Sequence, residues 1–207
     1  IKKINNNEII YSETMDSNIC KKIIKICQMQ DVYFHVYMDE KMYTQQLKYV
    51  SLHYWNANIN QEQSCKVDVK LVDDITSCVN ENKPIHKIVI ICEELDKLKN
   101  IRELIESFSE VSVTSSEENN IEIVKSGVSK GKALEFISKK LGIDREEIIA
   151  FGDNENDISM LNFAGCSVAM GNGIEEVKKI ANIIAPDNDN NGVAKVLSNI
   201  FIENYKI

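Results

Sequence analysis

The sequence predicts an α/β protein: part of a doubly wound parallel sheet, preceded by a separate α+β unit. Three observations predict it. From about residue 125 onward, helical and strand patterns alternate strictly, the signature of a parallel sheet with helices on both faces. The strands there are short apolar runs, as in IIAFGD (Ile148–Asp153), which suits burial on both sides. Before that point, hairpin-like and helical segments follow no fixed order, which suits an α+β arrangement.

Taken in order, IKKI, NNN and EIIY (residues 1–11) read as a short hairpin. Residues 16–29 read as a helix, with Asp16 or Ser17 as its cap and Ile19, Ile23, Ile26 and Cys27 as its apolar stripe. Val32–Met38 alternates as a strand does. Tyr33, His35 and Tyr37 fall on one face, where they could contact a sugar or simply form the wetter side of a sheet. Residues 42–64 show no clear period. Cys65–Val72 suggests a strand, and DDITSCVNEN a short helix and turn. His86–Cys92 is a strongly apolar strand and Glu94–Phe108 an amphipathic helix. SEVSVTSS and IEIV (Ile121–Val124) are further strands.

The alternating half begins with the helix SKGKALEFISKKLGI, where Ser129 can cap the start and Gly142 the end. Asp144 and Glu147 fit a capping box. IIAFGD is a strand and ENDISMLNFAG a helix, followed by the strand CSVAMGN, the helix GIEEVKKIAN, the strand NIIAP and the helix NNGVAKVLSNIF. Glu175 and Glu176 early in one helix, and Lys178 and Lys179 late, suit its dipole.

The chain has 207 residues and a formal net charge of −8, with 43% hydrophobic residues. That composition supports a packed core and argues against a basic nucleic-acid or anionic-membrane surface. No apolar run approaches the roughly 18 residues of a membrane span. The six cysteines form no C-x-x-C pair and no zinc spacing, so they read as reduced, structural thiols of a cytoplasmic protein.

The residues with chemical promise sit where an α/β sheet binds ligands, beyond the carboxyl ends of its strands. Asp153 ends IIAFGD, and Asp157 lies one helical turn later, so both carboxylates can point the same way. Such a pair suits Mg²⁺, which takes one or two carboxylates plus waters and phosphate oxygens; the plainer reading is that both cap the next helix. Lys130 falls in the first turn of its helix, where the dipole disfavours a cation, so it is a candidate for neutralising phosphate, with Lys132 as its rival. Gly171-Asn172-Gly173 and Asp187–Gly192 are polar loops on the same rim; turn chemistry alone also explains them. SGVSKGKA is not a phosphate-binding P-loop, since Ser126 and Ala133 occupy defining positions. GNGIEE lacks the last glycine of a dinucleotide fingerprint.

In combination, GVSKGKAL, IIAFGDNENDISML, CSVAMGNGIEEVK and NDNNGVAKVL resemble the C-terminal core of haloacid dehalogenase (HAD) superfamily phosphatases of the Cof type. The resemblance covers about residues 121–200 and implies a Rossmann-like core. It implies residues 1–11 as the end of an N-terminal core segment, 12–120 as an α/β cap that governs specificity, and 121–207 as the later half of the core. By that resemblance Lys130 balances charge on nucleophile and phosphoryl group. Asp153 binds Mg²⁺, Asp157 supports the metal shell and orients the lysine, and Asn156 helps hold phosphate. The implied reaction is hydrolysis of a small phosphorylated metabolite such as a sugar phosphate, by a monomer or homodimer without nucleic-acid or membrane partners. The family's D-x-D nucleophile motif and its Ser/Thr motif are not found. The only D-x-D, Asp187-Asn188-Asp189, lies in the late polar loop. The expectation is therefore a phosphatase whose nucleophile, with two βα units of roughly sixty residues, lies outside this chain. The alternative is a catalytically incomplete module that binds a metal or ligand.

Overall fold

The computed structural model describes residues 1–3, 6, 8–59 and 66–202. The chain divides into two compact units, Ile1–Gly127 and Val128–Ile207.

The first unit opens with an antiparallel bridge between Lys2 and Ile9, in place of full hairpin strands; much of the expected NNN turn lies outside the described residues. Helix α1 (Ser17–Met29) starts where Asp16 accepts hydrogen bonds from the Asn18 and Ile19 amides. Its elements then run β1 (Tyr33–Met38), β2 (Lys41–Thr44), α2 (Tyr49–Ala57), β3 (Val69–Leu71), α3 (Ile75–Cys78), β4 (Ile85–Ile91), α4 (Leu95–Glu106), β5 (Val111–Thr114) and β6 (Asn120–Lys125). The strands form one sheet in the order β3-β2-β1-β4-β6-β5, antiparallel except for β2 and β3. The strand expected over 121–124 is thus part of this sheet, as β6, whereas the sequence grouped it with the later half.

Alternation gives this sheet two different faces. Phe34, Val36, Met38, Ile88, Ile90, Ile121 and Ile123 point into the main core, with α1, α3 and α4 over them. Tyr33, Tyr37, Val89 and Ile91 form a smaller cluster on the other side. Tyr33 and His35 are 8% and 1% exposed, so this stripe is not a wet face. The stretch without a clear period contains β2 and α2. Asp39 and Glu40 turn the chain between β1 and β2 with φ of 52° and 57°.

In the second unit the elements are α5 (Lys130–Leu141), β7 (Ile149–Gly152), α6 (Ile158–Phe163), β8 (Cys166–Ala169), α7 (Glu175–Ile180), β9 (Ile183–Ile184) and α8 (Gly192–Phe201). The strands are parallel, in the order β7-β8-β9. Ala150, Leu161, Ala164, Ala169 and Val177 join α6 and α7 to one face. Val168, Met170, Ala185 and Val196 join α8 to the other. Helices on both faces of a parallel sheet make this unit doubly wound. The caps sit where the sequence places them: Ser129 accepts the Lys132 amide, Gly142 is left-handed at φ 68°, and Asp144 and Glu147 form the capping box.

No described helix is long and apolar enough to cross a membrane. Among the described cysteines all are free thiols; burial pushes Cys20 up to about 12 and Cys27 higher still, which leaves both unreactive. Cys65 lies outside the described residues.

Candidate active site

Strand β7 ends at Gly152, and the chain turns through Asp153 and Asn154 into a 3-10 turn, Glu155–Asp157, before α6. Gly152 is needed there: a Cβ would lie 2.6 Å from the Asp157 Cβ. Asp157 is 4% exposed, and its carboxylate organises the turn. Its Oδ2 accepts the Asp153 amide at 3.0 Å and the Asn154 amide at 3.4 Å. Its Oδ1 accepts Lys130 Nζ at 2.5 Å. Lys130 Nζ also donates to Asn156 Oδ1 at 3.4 Å. Asn154 caps the turn by accepting the Glu155 amide at 2.8 Å. Lys130, Asp153, Asn156 and Asp157 therefore converge in one place, all from the second unit.

Lys130 and its rival Lys132 part company here. Lys132 pairs with Glu135 at 2.8 Å along its own helix, while Lys130 reaches across to Asp157 in the turn before α6. What permits that reach is a backbone contact. Gly131 N donates to Ser159 Oγ at 3.0 Å, and a Cβ on Gly131 would fall 2.2 Å from the Ser159 carbonyl oxygen. Gly131 and Ser159 are thus part of the site's framework. Sequence reasoning missed both, although a glycine one step after the lysine was a usable signal.

The two acids differ electrostatically. Burial alone would raise the Asp157 carboxyl, but the hydrogen bond from Lys130 and the Asp153 amide outweigh it and hold it below the usual carboxylate range. Asp153 is exposed at the rim. Partial burial of its carboxyl, followed by the nearby Asp157 charge, raises it above its ordinary value. Two carboxylates facing one lysine leave the rim short of positive charge.

Among the described residues no group of three or more His, Cys, Asp or Glu is placed to hold a metal ion. The two acids still fit Mg²⁺, which needs only one or two carboxylates beside water and phosphate oxygens. Both Asp157 oxygens already accept protein donors, whereas Asp153 is exposed, so Asp153 is the more open of the two acids.

The neighbouring loops brace Asp153. Its carbonyl accepts the Ile174 amide at 2.9 Å, and Gly173 packs so closely that a Cβ would lie 2.9 Å from that same oxygen. The expected polar loops do meet: Asn188 N donates to Asn172 Oδ1 at 3.2 Å, and Asp187 holds the Asn190 amide at 2.8 Å.

Residues 1–197 match the family model described as haloacid dehalogenase-like hydrolase. The chain is 29% identical over 212 residues to the 5-amino-6-(5-phospho-D-ribitylamino)uracil phosphatase YwtE of Bacillus subtilis, covering 95% of this chain and 74% of the relative. A second B. subtilis phosphatase carrying the same substrate name, YitU, is 56% identical over 81 residues, 39% of this chain and 30% of the relative. Among solved structures, a haloacid dehalogenase-like hydrolase from B. subtilis superposes with a TM-score of 0.79 at 28% identity, over 95% of this chain and 74% of that one. A match along nearly the whole chain, on top of a doubly wound unit with its acids at a strand end, places the protein in the haloacid dehalogenase-like hydrolase family.

Proposed function

We propose that this chain forms the greater part of a Mg²⁺-dependent phosphomonoester hydrolase whose nucleophilic aspartate lies outside residues 1–207. The observation that carries the reading is the Lys130 ammonium, held between Asp157 Oδ1 and Asn156 Oδ1 beside Asp153. An ammonium has three N–H donors, so two directed at these residues leave one for a phosphoryl oxygen.

In the proposed reaction a carboxylate oxygen attacks phosphorus and the ester P–O bond breaks. The departing alkoxide takes a proton, and water then hydrolyses the aspartyl-phosphate to free phosphate and the original carboxylate. Lys130 neutralises charge on the phosphoryl oxygens, and Asn156 helps position them. Asp153 is the direct Mg²⁺ ligand; Asp157 is the supporting acid, fixing Lys130 and the Asp153 amide. Mg²⁺, when bound, supplies positive charge against the phosphoryl group.

The names of the two phosphatase relatives support a small phosphorylated metabolite, such as a sugar phosphate, as substrate. We assign the first unit the role of a cap that selects it, and the cytoplasm as its place of action. A polypeptide joining this chain to a family segment with the D-x-D motif is expected to hydrolyse p-nitrophenyl phosphate only with Mg²⁺, and Asp153→Asn to remove that turnover. Undiminished activity of the variant would overturn the metal assignment. Mg²⁺ binding without turnover would favour the non-catalytic module.

A further inference from the structure

Two polar loops on the rim, Gly171–Gly173 after β8 and Asp187–Asn191 after β9, have no role in the reaction proposed above. Both follow strands that are tied to β7. Met170 N donates to the Gly152 carbonyl at 2.9 Å, so β8 stays paired with β7 up to the turn that carries Asp153. Ala185 N donates to the Ala169 carbonyl at 2.8 Å and does the same for β9 and β8. Three parallel strands thus deliver three loops side by side, with the Gly171–Gly173 loop in the middle.

The middle loop is a wedge. Its turn is closed by Gly173 N, which donates to the Met170 carbonyl at 2.9 Å. On one flank a Cβ on Gly173 would lie 3.0 Å from the Asp153 Cα, and Ile174 N donates to the Asp153 carbonyl at 2.9 Å. On the other flank a Cβ on Gly171 would lie 2.9 Å from both the Ala185 carbonyl oxygen and the Asp187 amide nitrogen. Neither glycine has space for a side chain, so main chain meets main chain on both sides of the loop.

Asn172 sits between the two glycines, and its Oδ1 accepts the Asn188 amide at 3.2 Å. The bond spans 16 residues and joins the middle loop to the loop after β9. That outer loop is closed on itself. Asp187 Oδ1 accepts Asn190 N at 2.8 Å and Asn190 Nδ2 at 2.7 Å, and the Asp187 carbonyl accepts Gly192 N at 3.1 Å. A loop braced in this way is a firm anchor. The middle turn does not need the Asn172 bond to close, since Gly173 and Met170 already close it. Asn172 is exposed, so its bond adds little stability, because water replaces it in the unfolded chain. What the bond adds is a fixed direction for the middle loop, whose far flank carries Asp153.

We propose that Asn172 is a positioning residue: it pins the middle loop to the loop after β9 and, through Gly173 and Ile174, holds Asp153 in place on the rim. Its consequence for Mg²⁺ rests on the phosphatase reading, whereas main-chain exchange tests the positioning itself. Asn172→Ala removes the acceptor, and Asn172→Asp keeps an oxygen in its place. On the 207-residue chain, NMR follows amide hydrogen exchange at Asn188 and Ile174, and a Mg²⁺ titration is read at the Asp153 side chain. Asn172→Ala should speed exchange at Asn188 about tenfold, the equivalent of one good hydrogen bond. It should also speed exchange at Ile174 at least about threefold and weaken Mg²⁺ binding by a similar factor, at an unchanged Tm. Asn172→Asp should return both amides to wild-type exchange; Mg²⁺ is not compared there, since the new charge attracts the ion by itself. If Asn172→Ala fails to fold, Asn172→Ser, which shortens the side chain, gives the same comparison. Faster exchange at Asn188 with Ile174 unchanged would reveal a merely local bond and overturn the proposal, as would unchanged Mg²⁺ affinity in a chain that binds the ion. A wild-type chain that binds no Mg²⁺ would count against the phosphatase reading, and exchange at Ile174 would still decide the role of Asn172.

Discussion

Asp157 illustrates how one buried carboxylate can organise a whole turn. Its carboxylate satisfies two backbone amides and a lysine from almost complete burial. Asp157→Ala should therefore destabilise the second unit by about 2–4 kcal/mol, since it strands two amides and removes the lysine's partner. Urea denaturation checks the value, and a loss below half a kilocalorie per mole would contradict the role. His35 carries a pH prediction. Burial, with the Lys87 charge, puts its folded value at about 3, below the ordinary 6.5, so the unfolded chain binds the proton first. Stability is whole above pH 6.5 and falls as the pH drops toward 3, by up to ~1.4 kcal/mol per pH unit from this group. The measurement is the difference between wild type and His35→Leu across that window; parallel pH profiles would refute it.

At the scale of elements, the contact between α5 and α6 fixes where Lys130 can reach. Gly131→Ala forces a methyl group into the Ser159 carbonyl and should cost about 1–3 kcal/mol as the helices separate. It should also weaken phosphate binding, which isothermal titration would read; unchanged stability and binding would show that the helices tolerate the shift. Gly131 was the one hint of this contact in the sequence; its partner Ser159 was not legible, because it lies 28 residues away. Helix α5 was legible, since Ser129, Gly142 and the apolar spacing agree. Strand β7 was legible because a short apolar run ends in Gly-Asp. Strand β2 was not: Asp39 and Glu40 adopt a turn that ordinarily calls for Asn-Gly, so its signal was missing. Helix α2, YVSLHYWNA, spreads its apolar residues around the whole circumference and shows no single face. The site's acids and lysine were readable as residue types on one rim. That Asp157 is buried and engaged by three donors while Asp153 is exposed was not, because hydrogen-bond occupancy depends on the folded turn.

Over the whole molecule, the chain spans about three quarters of the relatives it matches along its length. Its first unit has its own large core, from Met15 and Ile19 to Ile121 and Ile123. A fragment ending at Gly127 is accordingly expected to unfold in one cooperative transition; a gradual, non-cooperative melt would count against its independence. In the second unit β7, the strand that delivers Asp153, pairs with β8 alone among the described residues. Its other side presents a row of amides and carbonyls at the sheet's edge. Parallel strands end on the same rim, so any strand added there in parallel would finish beside Asp153. A nucleophile carried at the tip of such a strand would be aligned by main-chain pairing, to within one residue of register. Half of the reaction geometry would then be set by sheet assembly, before any substrate arrives.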